Sequence, residues 1–181
     1  FGENKFGYVI KKNSSDKNIL YKKTIKLLKK ISSTPLAQFL PNYSYKMFKT
    51  ELDTFIDWYF FPEKKNDKGL LKEWDTIWRN YYKIIASSKF RSVILRDFHV
   101  DNLFLLGNRN GIRKIGLIDF QDAVIGHTCY DLVSLLQDVR VNISNKDHKL
   151  LYDYYISINN ISESDFENSY FIFGTQRLLK I

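Results

Sequence analysis

The hydrophobic periodicity of the chain changes between residues 91 and 140, and this change limits the folds that are open to it. Residues 92–95, 103–106 and 112–120 form short apolar runs that indicate strands. The tetrapeptide NRNG at 108–111 is typical of a hairpin turn between two of them. The stretch also holds six aspartates: Asp97, Asp101, Asp119, Asp122, Asp131 and Asp138. Two small strands around a loop, followed by a hairpin that ends in an acidic residue, predict an arrangement that presents polar side chains.

Apolar residues recur at helical spacing on both sides of this stretch. Helices are therefore predicted over residues 18–32, 44–60, 70–87, 130–140, 146–158 and from about 164 to the end of the chain. The run FGYVI at 6–10 is predicted to be a short strand or an extended hinge. A hydrophobic fraction of 44% is sufficient for a real core. The predicted fold class is α+β and mostly helical.

The composition argues against several classes of protein. No apolar run approaches the roughly 20 residues that a membrane-spanning helix needs. Phe1 opens onto a charged stretch rather than the apolar segment of a signal peptide, so a cytoplasmic protein without a membrane partner is expected. The single cysteine, Cys129, excludes an internal disulfide framework and a multi-thiolate zinc site, and we expect it to be a small buried residue.

The net charge of +8 does not by itself indicate a nucleic-acid partner. Residues 1–90 carry a net charge of +9, with 18 basic and 9 acidic residues, whereas residues 91–181 carry −1, with 10 and 11. The half that holds the aspartates is therefore not basic. No basic-aromatic motif accompanies the lysines, so they are interpreted as solvated helix faces and no nucleic-acid partner is expected.

Asp97, Asn102 and Asp119 are the candidates for chemistry, because they lie at or next to the ends of predicted strands. Phosphoryl transfer requires metal ions that neutralise the phosphates and a carboxylate that orients and deprotonates the acceptor hydroxyl. Mg²⁺ prefers hard oxygen ligands, of which the protein usually supplies one or two. An asparagine and an aspartate satisfy this need, and a second aspartate can serve as the base.

The order and spacing of these residues resemble a known superfamily. The segment LRDFHVDN at 95–102 resembles the catalytic loop of protein kinases and, more closely, that of the aminoglycoside phosphotransferase and choline kinase superfamily. One branch of this superfamily is more similar still, through the segments LDTFIDWY at 52–59, LRDFHVDNL at 95–103, GLIDFQDA at 116–123, YDLVSLLQDVR at 130–140 and Gln176-Arg177. These segments resemble the bacterial kinases of cell-wall recycling, which phosphorylate N-acetylmuramate and N-acetylglucosamine at the anomeric hydroxyl with ATP.

The resemblance implies a role for each residue of the central motif. Asp97 is implied to be the catalytic base toward the sugar hydroxyl. Asn102 is implied to hold Mg²⁺, and Asp119 to bridge Mg²⁺ to the phosphates of ATP. His99 and Asp131 are implied to support the loop structurally. Leu95 departs from the superfamily, which commonly has histidine at that position.

Further residues are predicted to contact the acceptor. Asp57 and Trp58 lie on the second predicted helix, which borders the acceptor site in this fold. A tryptophan ring can cover the C–H face of a sugar, and a carboxylate can accept its hydroxyls. Gln121 and Asp122 follow the metal-binding aspartate directly and are expected to contact the sugar or to support the metal site. Arg177 is expected to contact an acidic or phosphate group.

The implied architecture is the C-terminal lobe of a kinase-like phosphotransferase in which a small hairpin carries the catalytic and metal-binding loops. The chain shows neither a glycine-rich phosphate loop nor a strand lysine with a partner glutamate upstream. We therefore expect residues 1–12 to be the hinge from an absent N-terminal ATP lobe. Residues 13–181 are expected to form the helical lobe, with residues 91–140 as its catalytic core and with truncation at both ends.

Three alternatives stay open from the sequence. An aminoglycoside or choline kinase is the first, and the acidic segment SESDFE at 162–167 could suit a polycationic acceptor. A kinase-like binding module without catalysis is the second, although such a module has no need of Asp97, Asn102 and Asp119. A basic nucleic-acid-binding domain is the third.

Overall fold

The computed structural model describes residues 4–12, 14–36, 38–59 and 67–180. The helices in these ranges are α1 (Phe6–Lys12), α2 (Lys17–Ser32), α3 (Tyr45–Trp58), α4 (Lys68–Ala86), α5 (Cys129–Leu136), α6 (Asn145–Asn159) and α7 (Glu163–Lys180). The strands are β1 (Arg91–Ile94), β2 (Leu103–Leu105), β3 (Ile115–Leu117) and β4 (Val124–His127). Short 3₁₀ turns occupy Ser14–Asp16, Val100–Asn102 and Gly111–Lys114.

Polar side chains set the starts of three long helices. Ser44 accepts a hydrogen bond from the backbone N–H of Met47 at the start of α3, and Ser144 does the same for Asp147 at the start of α6. Asp67 accepts from two backbone N–H groups at the start of α4. These caps satisfy donors that the first turn of a helix leaves free. None of the described helices is both long and apolar enough to cross a membrane.

The four strands form two nested antiparallel pairs. In the outer pair β1 and β4 align Arg91 with His127 and Ile94 with Val124. In the inner pair β2 and β3 align Leu103 with Leu117. Each outer strand is joined to an inner strand by a loop, at residues 95–102 on one side and 118–123 on the other. The two loops therefore lie opposite each other, between the outer strand pair and the inner strand pair.

Aromatic side chains hold α3, α5 and α7 together behind the strands. The ring of Phe173 on α7 packs against Tyr130 on α5 at a centroid distance of 5.3 Å and against Phe48 on α3 at 6.3 Å. Tyr43, just before α3, packs against Tyr130 at 5.4 Å. Cys129 is fully buried at the start of α5, as expected. This cluster fixes α5 directly behind the loop at 95–102.

The predicted helices and the inner hairpin are present, but three local predictions were wrong and one strand was missed. The run at 6–10 lies in helix α1, because Phe6 and Ile10, four residues apart, are buried on one helical face. The predicted strand at 112–120 is limited to Ile115–Leu117, since Gly111–Lys114 forms a 3₁₀ turn. Strand β4 was not predicted, and α5 ends at Leu136 rather than near 140.

Helix α1 packs directly against the 95–102 loop. A Cβ atom added at Gly7 would lie 3.1 Å from Cγ2 of Val100, so glycine permits this close approach. Lys5 also forms an isolated antiparallel bridge with Phe104 at the far end of the loop. The segment that the sequence suggested to be an extended hinge is thus a helical support for the loop.

Candidate active site

The start of the 95–102 loop is held by a buried aspartate of α5. Oδ2 of Asp131 accepts from the backbone N–H of Leu95 at 2.7 Å, and Oδ1 accepts from that of Arg96 at 3.0 Å. Burial raises the pKa of Asp131 to about 7, although the two backbone hydrogen bonds act in the opposite direction. Asp131 therefore holds the backbone at the start of the loop.

A second aspartate holds the middle of the loop. Asp138, two residues beyond α5, is buried, and its Oδ2 accepts from the backbone N–H of Val100 at 3.0 Å. Its Oδ1 accepts from the guanidinium of Arg140 at 3.0 Å, and the same guanidinium pairs with Asp101 at 3.0 Å. Asp131 and Asp138 together fix the loop at two places. Neither Asp138 nor Arg140 was predicted to have a role.

The end of the loop meets the 118–123 loop across the inner strand pair. The backbone N–H of Ile118 donates to the carbonyl of Asn102 at 3.1 Å. Nδ2 of Asn102 donates to Oδ2 of Asp119 at 3.3 Å and to the carbonyl oxygen of Asp97 at 3.1 Å. Asp119 has a φ of 61°, a left-handed conformation that turns the chain sharply after β3. Asp97, Asn102 and Asp119 are thus brought to one place.

Two neighbours complete this group. Nε2 of Gln121 donates to Oδ1 of Asp119 at 2.6 Å, which places Gln121 beside the proposed metal site. Nε2 of His99 lies 3.4 Å from Nδ2 of Asn102, so the His99 ring contacts another residue of the same loop. Burial and the charge of Arg140 lower the pKa of His99. The carboxylate of Asp97 is half-buried and accepts no hydrogen bond from the described residues.

The donor atoms of Asn102 and Asp119 fit a magnesium ion. The described residues contain no group of three or more His, Cys, Asp or Glu side chains that could hold a metal ion by themselves. Mg²⁺ is usually held by only one or two protein side chains, with phosphate and water as its other ligands. The amide oxygen of Asn102 and the carboxylate of Asp119, on side chains that the Nδ2 hydrogen bond holds together, suit that mode of binding better than a complete protein cage.

The predicted acceptor-binding residues lie in different environments. Trp58 is 80% exposed and Asp57 is exposed, both at the C-terminal end of α3. Asp122 is exposed in the 118–123 loop. Arg177 instead is only 7% exposed and donates to Oγ of Ser134 at 3.0 Å, so its guanidinium faces the interior. Among the described residues, no hydrogen bond connects Asp57 or Trp58 to the 95–102 loop.

Helix α3 carries a buried carboxylate that was not predicted from the sequence. Glu51 is 5% exposed, and the guanidinium of Arg96 donates to its Oε1 at 2.8 Å. Burial disfavours its charged form, but Lys180 and hydrogen bonds from Tyr43, Arg96 and Gln176 together hold its pKa below the usual value. A usable signal was present, because Glu51 lies three residues after Phe48 and next to Leu52, within the apolar stripe of the helix.

The chain matches a known protein family. The model of the phosphotransferase enzyme family, APH, matches residues 11–158, which is most of the chain. The fold and the site thus define a kinase-like phosphotransferase, and the chain belongs to the phosphotransferase enzyme family.

Similar proteins carry a more specific name. The N-acetylmuramate/N-acetylglucosamine kinase of Caulobacter vibrioides is 31% identical over 146 residues, which are 78% of this chain and 39% of that protein. The protein of the same name from Neisseria meningitidis serogroup B is 32% identical over 102 residues, 55% of this chain and 28% of that protein. The chain therefore spans less than half the length of these relatives.

Solved structures support the fold. Aminoglycoside phosphotransferase APH(3'')-Id from Streptomyces rimosus, solved in complex with ADP and streptomycin, superimposes with a TM-score of 0.58 at 10% identity. That match covers 89% of this chain and 62% of the other. The type VIII aminoglycoside-3'-phosphotransferase gives a TM-score of 0.59 at 11% identity, over 91% and 62%. At such identities the likeness concerns the fold alone.

Proposed function

We propose that this chain supplies the catalytic and metal-binding loops of an ATP-dependent kinase that phosphorylates a sugar hydroxyl. The observation that carries the proposal is the contact between the two loops, where Asn102 donates to both the Asp97 carbonyl and the Asp119 carboxylate. Residues 1–12 would then connect to a nucleotide-binding lobe, and residues 13–181 would form the helical lobe, with residues 91–140 as its catalytic core.

Each residue of the site has one task in this proposal. Asp97, whose carboxylate is not engaged by the described residues, accepts the proton of the acceptor hydroxyl and orients its oxygen. Asn102 and Asp119 hold Mg²⁺, which neutralises charge on the phosphates of ATP when it is bound. Asp131 and His99 keep the 95–102 loop in the required shape.

The favoured acceptor is N-acetylmuramate or N-acetylglucosamine, phosphorylated at the anomeric hydroxyl. The support is the name shared by the relatives from Caulobacter vibrioides and Neisseria meningitidis. Trp58 and Asp57 offer an exposed ring and carboxylate for a sugar, and Gln121 and Asp122 lie next to the metal site. Arg177 would contact an acidic group only after a rearrangement that frees its side chain from Ser134.

An aminoglycoside or choline kinase is the second candidate. The solved structures of similar fold are aminoglycoside phosphotransferases, and one of them contains streptomycin. The sequence relatives favour the amino-sugar acceptor instead, because their identity to this chain is about three times higher than that of the aminoglycoside enzymes. A binding module without catalysis would have no need of the arrangement of Asp97, Asn102 and Asp119.

The decisive experiment uses the complete natural polypeptide that contains this sequence. It is incubated with Mg-ATP and, separately, with N-acetylmuramate, N-acetylglucosamine, choline or kanamycin, and the products are followed by phosphorus NMR. The expected product is an acid-labile sugar 1-phosphate. Asp97→Asn should lower the rate by roughly 10²- to 10⁴-fold, the usual contribution of a general base, while Mg-ATP affinity stays within about twofold.

A matched control is Asp153→Asn. Asp153 is an exposed carboxylate on α6 that pairs with Lys149 at 2.5 Å, and its replacement should leave the rate unchanged. Transfer to kanamycin or choline alone would establish the second candidate. Mg-ATP binding with no transfer to any acceptor would contradict the proposed acceptor class, and the absence of nucleotide binding would favour the module without catalysis.

A further inference from the structure

The carboxylate of Glu51 accepts hydrogen bonds from four parts of the fold. The donors lie on the segment before α3, on the 95–102 loop, on α5 and on α7, whereas Glu51 itself lies on α3. They are the Tyr43 hydroxyl at 2.7 Å, Nη2 of Arg96 at 2.8 Å, the Tyr130 hydroxyl at 3.0 Å and Nε2 of Gln176 at 2.5 Å, and Nζ of Lys180 adds an ion pair at 3.6 Å. We propose that Glu51 is a positioning residue that sets the place of Asp97 by holding the side chain of Arg96. This inference rests on the proposed kinase function.

The backbone conformation of Arg96 requires contacts that stabilise it. Arg96 has a φ of 71°, a left-handed conformation that a residue with a Cβ atom avoids unless the surroundings enforce it. Its backbone N–H is fixed by Asp131 at 3.0 Å, and its guanidinium is fixed by Glu51 at 2.8 Å. The residue before Asp97 is therefore held at both its backbone and its side chain. Removal of either contact should allow the peptide that carries Asp97 to rotate.

The interaction requires a carboxylate rather than any polar group. Arg96 and Lys180 are cations, and the other groups that reach Glu51 are donors as well. Nε of Arg96 is buried and has no partner among the described residues, so its guanidinium depends on Glu51 for the neutralisation of its charge. In Glu51→Gln, an amide of the same shape would direct N–H groups at donors and would leave two cations without a nearby anion.

Glu51 also connects the loop with the proposed acceptor helix. Asp57 and Trp58 follow on α3 within two turns, so Glu51 ties the helix that carries them to the residue before Asp97. Gln176 and Lys180 extend the same group to α7. A change at Glu51 should therefore disturb the placement of the acceptor oxygen relative to Asp97 more than the binding of either substrate.

The test compares Glu51→Gln with the wild type in the complete natural polypeptide. We expect kcat to fall roughly a hundredfold, because small misplacements of a catalytic group have effects of that size. KM for ATP and for the sugar should stay within about twofold, since the groups that bind them are not altered. Hydrogen exchange should become faster in peptides that cover residues 94–102 and stay unchanged in peptides from α6.

Two further variants separate positioning from stability. Leu151→Ala removes a fully buried side chain of α6 and should lower stability without slowing turnover by the folded enzyme. Arg96→Gln leaves Glu51 with Lys180 as its counter-ion, so the protein should fold even if Glu51→Gln does not. Arg96→Gln should reduce kcat to the same degree, and the double variant should be no slower than either single one.

The outcomes distinguish this inference from the proposed function. Faster exchange in residues 94–102 with unchanged exchange in α6, in a protein whose wild type transfers no phosphate, would support the positioning role and contradict the function. An active wild type whose Glu51→Gln variant keeps its kcat and its exchange protection would overturn the positioning role. Additive losses in the double variant would also overturn it, because they would mean that Glu51 and Arg96 act independently.

Discussion

Asn102 and Asp119 are 17 residues apart in the chain, yet Nδ2 of Asn102 lies 3.3 Å from Oδ2 of Asp119. The nested strands account for this contact, because Leu103, next to Asn102, pairs with Leu117, two residues before Asp119. Residues next to a paired strand are restrained by the hydrogen bonds of the pair. Two independent surface loops would lack this restraint. The proposed metal site is thus a consequence of the register of β2 and β3.

The first prediction concerns binding of Mg-ATP at this pair. Asp119→Ala removes the carboxylate and Asn102→Ala removes the amide, so each variant should bind Mg-ATP about tenfold more weakly or worse, with Asp119→Ala the weaker. Isothermal titration of the complete natural polypeptide with ATP, with and without Mg²⁺, measures this effect. Affinity for ATP without Mg²⁺ should change little in either variant.

Asp153→Ala is the control for this prediction. Asp153 is an exposed carboxylate on α6 that pairs with Lys149 at 2.5 Å, so its loss should not alter the affinity for Mg-ATP. Equal affinities for Mg-ATP in the wild type and in both site variants would show that Asn102 and Asp119 do not hold the metal.

Local signals in the sequence were sufficient to predict the long helices and to select Asp97, Asn102 and Asp119 as candidate site residues. The period of apolar residues marks each helix, and a motif confined to one loop needs no knowledge of distant contacts. The short helix α1 was not predicted, because a five-residue apolar run such as FGYVI fits a strand as well as a helix.

The remaining parts of the site depend on contacts between distant residues. Glu51 and Arg96 are 45 residues apart, and Val100 and Asp138 are 38 apart, so no local pattern relates them. Strand β4 is recognisable only through its pairing with β1 across the whole hairpin. A charged residue within an apolar helix stripe indicates that a partner exists, but the sequence does not say which residue it is.

The second prediction uses the raised pKa of Asp131. Burial raises this pKa from 3.8 to about 7. Between these two pH values Asp131 is therefore protonated in the folded protein and ionised in the unfolded chain. The contribution of Asp131 to the free energy of unfolding should therefore fall by about 4 kcal/mol as the pH rises from 4 to 7. Asp131→Asn does not titrate, so the stability of the wild type minus that of the variant should decrease with pH.

Urea unfolding at about pH 5 and about pH 8 measures this difference. The opposite result is equally informative, because the backbone N–H groups of Leu95 and Arg96 favour a charged carboxylate. A difference that increases with pH would show that these hydrogen bonds outweigh burial and that Asp131 is ionised in the folded protein at neutral pH.

The third prediction concerns His127, whose stability contribution changes with pH in the opposite direction to that of Asp131. Its side chain is 2% exposed, and burial lowers its pKa from 6.5 to about 4. The unfolded chain thus binds more protons between these values, and the protein should lose about 3 kcal/mol of stability as the pH falls from 6.5 to 4. His127→Asn does not titrate and keeps an acceptor for the N–H of Cys129, which donates to Nδ1 in the wild type.

The measurement is again urea unfolding, at about pH 5 and about pH 7. The stability of the wild type minus that of His127→Asn should increase with pH. Parallel pH profiles of the two proteins would mean that His127 is protonated as readily in the folded state as in the unfolded chain.

The fourth prediction concerns the close packing of β4 against β1. A Cβ atom at Gly126 would lie 2.5 Å from Cδ1 of Ile94 and 3.2 Å from Cβ of Tyr43. Gly126→Ala should therefore destabilise the protein by about 1–3 kcal/mol through overpacking, and thermal unfolding should show a lower Tm. Gly107→Ala is the matched control, because its Cβ would meet no heavy atom within 4 Å.

The position of Gly126 extends this prediction to the active site. Ile94, which the new methyl group would displace, is the last residue of β1 and lies two positions before Arg96. A shift of Ile94 would move the backbone that Asp131 holds, so Gly126→Ala should also reduce kcat at a temperature where the variant is fully folded. Unchanged Tm and kcat in Gly126→Ala would show that β1 and β4 are separated more widely than the structure places them.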